Sequence, residues 1–223
     1  MIRVILLALV AILSFAAPAV AQQNVTTMPP ALRAAIASGN AQAVSRAIAT
    51  LSAGNPTTAA NLLAGVANAA EQMIATNPRA AAELSRMVVE QASQPALLNA
   101  APELALAAAT TSARVFSSPA VTRAAPGAAA AAAVSAARLA ANPVILGANP
   151  QAAAALMTAS YQTVSNPAVA AASPQAQAAV VQVLVEASQT SEVANFLPQE
   201  VQQVVQQESP LQVEETRNQA SPN

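Results

Sequence analysis

A proline inside a helix deletes a backbone donor and clashes with the preceding turn, yet at the first helical position it is favoured. This chain sets its prolines on a grid. Pro78, Pro102, Pro126, Pro150, Pro174 and Pro198 stand 24 residues apart, and Pro95, Pro119, Pro143 and Pro167 form a second series with the same spacing. Ser191 takes the place of that series' next member. Unbroken long helices and long strands are both incompatible with such spacing. A fixed period between 20 and 50 residues is the signature of a repeat array.

Five successive blocks, beginning at the first-series prolines from Pro78 to Pro174, share one layout. Each opens with Pro at position 1 and predicts a helix of about 15 residues, because proline suits the first turn. Position 17 holds Gln94, Ser118, Asn142, Asn166 or Thr190, residue types that fit an N-cap before a second, shorter helix. Position 20 is always apolar: Leu97, Val121, Ile145, Val169, Val193. That column predicts plugs for the core. In the long helix, positions 4, 7, 8, 11 and 15 are mostly apolar, the spacing of a buried stripe. Positions 2, 6, 9, 13 and 16 carry nearly all the charge, including Arg79, Glu83, Arg86, Glu90, Glu103, Arg114, Arg138 and Glu186. The fold expected is all-α, an α-solenoid of helix–turn–short-helix units over residues 78–197. Its 24-residue unit is shorter than the ~34 residues of tetratricopeptide repeats and lacks their signature.

The flanks read differently. Residues 1–21 have the plan of a secretory signal peptide, with Arg3, an apolar run from Val4 to Phe15, and Ala19-Val20-Ala21 as a cleavage site. The apolar run falls short of the ~20 residues a spanning helix needs, so no membrane span is expected after cleavage. Export to a bacterial periplasm or the extracellular space follows as the expected localisation. Residues 22–28 form a short polar linker. Residues 29–77 look like degenerate helical repeats, broken at Gly39-Asn40, Gly54-Asn55 and Asn77-Pro78, as terminal repeats of an array should be. Residues 198–208 suggest a capping helix with Val201, Val204 and Val205 on one face. Residues 209–223 have no periodicity and read as a disordered tail.

Composition narrows the chemistry. Among 223 residues there is no Cys, His, Trp, Asp or Lys, so every cation is Arg and every acid Glu. For acid–base work only Glu and the single tyrosine, Tyr161, are available, zinc and iron sites lack their usual His and Cys, and neither a cofactor nor catalysis is expected. Net charge is −1, which gives no reason to expect nucleic acid as a partner. Alanine favours helix, and with aromatics at 2% the core must be built from small side chains at close helix spacing. The run Ala128–Ala133 is therefore read as packing, since Arg138 interrupts it as a membrane segment.

Two charged arrangements remain. Arg79, Glu83, Arg86 and Glu90 have the spacing of a ladder of exposed intrahelical ion pairs. Position 13 runs Glu90, Arg114, Arg138, Gln162, Glu186, and stacked equivalent positions would make Arg114 and Arg138 neighbours, with Arg123 nearby. Together with Gln162 and Tyr161, which is expected to line a groove or pack, these residues form the candidate partner-binding surface. The expected role is a non-enzymatic scaffold or protein-binding module. The alternative is a self-assembling structural protein of the envelope or matrix, so the partner is an unknown protein or the chain itself.

Overall fold

The computed structural model describes residues 28–189 and 191–207. The expected signal peptide, the linker up to Thr27 and the tail from Ser209 lie outside the described residues. Within them the chain is helical, with no strand. No helix of the described residues is long and apolar enough to cross a membrane.

The first three helices are α1 (Pro30–Ala37), α2 (Ala41–Ser52) and α3 (Pro56–Gln72). Their breaks use left-handed backbone at Gly39, Ala53 and Gly54, with φ of 66°, 47° and 79°. Gly39 is constrained twice, because a Cβ there would also stand 2.9 Å from that of Ala80. Five long helices of 15 residues follow, each opening on a grid proline: α4 (Pro78–Ala92), α6 (Pro102–Phe116), α8 (Pro126–Ala140), α10 (Pro150–Val164) and α12 (Pro174–Ser188). Between and after them lie short helices: α5 (Pro95–Ala100), α7 (Pro119–Ala124), α9 (Pro143–Ala148), α11 (Pro167–Ala172) and α13 (Ser191–Ala194). A last helical stretch, residues 199–207, buries Val201 and Val205.

Side-chain caps explain several starts. Asn40, Asn55, Asn77 and Asn149 accept from the backbone N–H three residues on, at 2.9–3.1 Å. At position 17, Ser118, Asn142 and Asn166 accept from backbone amides as their residue types predict. Gln94 makes no cap bond, and Thr190 lies outside the described residues. Glutamine is a weak N-cap because its extra methylene carries the acceptor past the amide that Asn reaches.

Packing is two rows deep. Each long helix from α3 onward packs against the next long helix and against the next but one. One row therefore holds α3, α6 and α10, and the other α4, α8 and α12. The short helices fill the edges, α7 against α4, α9 against α6 and α11 against α8. This geometry widens the buried face. In α6 and α8, positions 4, 5, 7, 8, 11, 12, 14 and 15 are all buried, three more than the sequence stripe. At 100° per residue they span about 180° of the helix, wide enough for two neighbours. The seven buried residues of α3 fall on the same positions counted from Pro56. Position 20 is buried from Leu97 through Val193. Positions 2 and 13 are exposed in every long helix from α4 to α12.

Met28, assigned to the linker, packs against the core, with its methyl seated over Gly65 of α3. The last long helix exposes Gln177 at position 4, where Ala81, Ala105, Ala129 and Ala153 are buried.

Candidate partner-binding surface

The two rows divide the position-13 side chains. Glu90, Arg138 and Glu186 belong to α4, α8 and α12, and Arg114 and Gln162 to α6 and α10. Arg114 and Arg138 are therefore carried by different rows of long helices. Arg114 reaches back within its own row to Glu71 in α3. Its Nε lies 2.8 Å from Oε1 and its Nη2 3.1 Å from Oε2, a bidentate fork. The hydrogen bonds it donates to Glu71 raise the guanidinium pKa against the opposing effect of burial. With the two side chains 56% and 36% exposed, the pair is worth at most about 1 kcal/mol. Arg114 is thus engaged within the fold. The overlooked sequence signal was a carboxylate near the same helix level two long helices earlier.

The other four residues lie on α7, α8 and α10. Arg123 donates from Nε to the Pro119 carbonyl of its own helix at 2.9 Å. Arg138 is exposed, and among the described residues its side chain has no hydrogen-bond or ion-pair partner. Tyr161 is half-buried against the core and Gln162 is exposed. No side-chain hydrogen bond among the described residues joins any two of the five.

The Arg79–Glu90 ladder is shorter than its spacing predicts. Arg86 bonds Glu83 and Glu90. Burial lowers its pKa, but the two carboxylates outweigh this and leave it raised. Both raised guanidiniums stay charged through and above the ordinary arginine range, so these pairs lose their cation only in strong alkali. Arg79 leaves the ladder. Its Nε donates to the Ala124 carbonyl at 3.1 Å, placing a cation on the C-terminus of α7.

Sequence reasoning missed a recess of about 320 Å³ between α2 and α4, floored by Met87 and ringed by Gln42, Ser45, Arg86, Glu90, Gln91 and Gln94. Gln91 Nε2 donates to Ser45 Oγ at 2.6 Å, which ties the walls together. The side-chain amides of Gln42 and Gln94 make no hydrogen bond among the described residues. Each presents a donor and an acceptor in the arrangement of a peptide group. These polar residues come from elements about 45 residues apart, a separation no local spacing rule detects.

A second recess, of about 450 Å³, lies between the end of α12 and residues 199–207. Gln202 spans part of it, donating to the Ala194 and Leu197 carbonyls at 3.0 and 2.7 Å. Among the described residues no cluster of three or more His, Cys, Asp or Glu could hold a metal ion. No protein-family model, curated protein or solved structure matches the chain.

Proposed function

We propose that the chain is an exported, non-enzymatic α-solenoid of 24-residue units that binds protein partners in the periplasm or outside the cell. The observation that carries the reading is the α2–α4 recess, where the unbonded amides of Gln42 and Gln94 stand beside a charged pair. An extended peptide segment offers the alternating donors and acceptors such amides match. The array reading draws on helix starts and burial positions that recur with the prolines. Export rests on the leader-like plan of residues 1–21, and the absence of catalytic function on a residue set without His, Cys, Asp or Lys.

The test is retention of exported proteins on the immobilised chain beginning at Gln22. Proteins held by the wild type should be lost from Gln42→Ala/Gln94→Ala and kept by Arg123→Ala. An identical retained set for all three proteins refutes the recess as the binding site. End-to-end self-assembly is the competing reading. Gln177 weighs against it by placing an exposed amide where the other long helices bury alanine. Light scattering across concentration decides: a mass that climbs with concentration favours assembly.

A further inference from the structure

The N-terminal end of the fold carries a recess unlike the two already described. It holds about 300 Å³ where α1 meets the last turn of α3, and its lining is apolar: Met28, Ile36, Ala37, Ala69 and Met73. That volume lies at the lower end of the ~300–1,000 Å³ usual for small-molecule sites. Two of the five methionines in the chain supply its walls, side chains whose soft, unbranched thioethers adapt to a flexible apolar guest. Met28 is held as a wall by a notch. A Cβ added to Gly65 would meet its Cε at 3.0 Å, so the helix surface leaves room for this methyl.

Among the described residues the only ion in the lining is Arg33, on the exposed face of α1. Among the described residues its side chain has no hydrogen-bond or ion-pair partner, in contrast to Arg86 and Arg114 with their carboxylates. Gln72 adds an amide at the same rim, and among the described residues no carboxylate lines the recess. An apolar hollow with one unneutralised guanidinium at its edge has a definite complement. A carboxylate can take two parallel bonds from that guanidinium while an alkyl chain enters the hollow.

We propose that this recess binds a small amphiphilic monocarboxylate, an alkyl chain ending in a single carboxylate. The assignment is independent of the protein-binding reading, because it uses neither Gln42 nor Gln94 and lies outside the α2–α4 recess.

The experiment is calorimetric titration of decanoate, below its aggregation range, into the chain beginning at Gln22. Saturable binding is expected with one site per chain. Arg33→Gln should weaken it about tenfold, equivalent to ~1.4 kcal/mol. Ala37→Phe, on an exposed rim position, should close the hollow and abolish binding. Decanol should bind the wild type and Arg33→Gln equally weakly, and Arg123→Gln should leave decanoate binding unchanged. Helical circular dichroism of each variant establishes that it is folded. No saturable decanoate binding to the folded wild type overturns the proposal. So does binding that neither Arg33→Gln nor Ala37→Phe alters. Loss with Ala37→Phe but not with Arg33→Gln overturns the carboxylate assignment.

Discussion

Ser112 and Ser160 occupy position 11 of α6 and α10, and both are fully buried. Ser160 returns its hydroxyl to the Leu156 carbonyl at 2.8 Å, but the Ser112 hydroxyl has no partner among the described residues. The Ser112 carbonyl instead accepts from Ser85 Oγ at 2.9 Å, joining α4 to α6. A buried hydroxyl without a partner carries a desolvation cost and no return. Ser112→Ala removes that oxygen and leaves the carbonyl in place, so it should stabilise the protein by about 1 kcal/mol. Urea unfolding would read this as a higher midpoint at unchanged slope, and a lower midpoint would show that the hydroxyl is bonded. At this scale the sequence was a partial guide. The position-20 plugs and the caps at Ser118, Asn142 and Asn166 follow from residue type alone. The partners of Arg79 and Arg114 do not, because both lie on other helices more than 40 residues away.

The long helices begin with the same backbone turn but not the same cap. The residue before the leading proline has φ/ψ of −147°/73° at Asn77, −146°/58° at Ala125 and −159°/87° at Asn149. The two asparagines cap their helices, and Ala125 cannot. Ala125→Asn should therefore supply the missing acceptor at little conformational cost and stabilise by about 1 kcal/mol. Thermal unfolding checks it, and a fall in midpoint would mean that the half-buried site cannot hold the larger side chain. Helix starts were legible to the residue because proline and asparagine act locally. The buried face was legible only as its central stripe. Positions 5, 12 and 14 join the core of α6 and α8 because each long helix has neighbours on two sides, and no uniform residue type announces it: position 5 is mostly alanine, while position 14 runs Gln91, Val115, Leu139, Thr163, Ala187.

The whole molecule adds a relation that no single helix contains. Its all-α character was evident from the prolines and alanine, whereas the division into two rows was not, since a period counts blocks without saying which of them touch. Glu90 and Glu186 lie in the same row because α4 packs on α8 and α8 on α12. Growth of such a chain is consequently governed by parity. Excising the block Pro126–Asn149 should carry everything after it to the opposite side, whereas excising Pro126–Ser173 should return it to its original side. Spin labels at 90 and 186 would report this as a separation across the molecule after the single excision and along one side after the double. A similar geometry in both would contradict the alternation. A surface spread over several blocks can thus survive duplication or loss only in even steps.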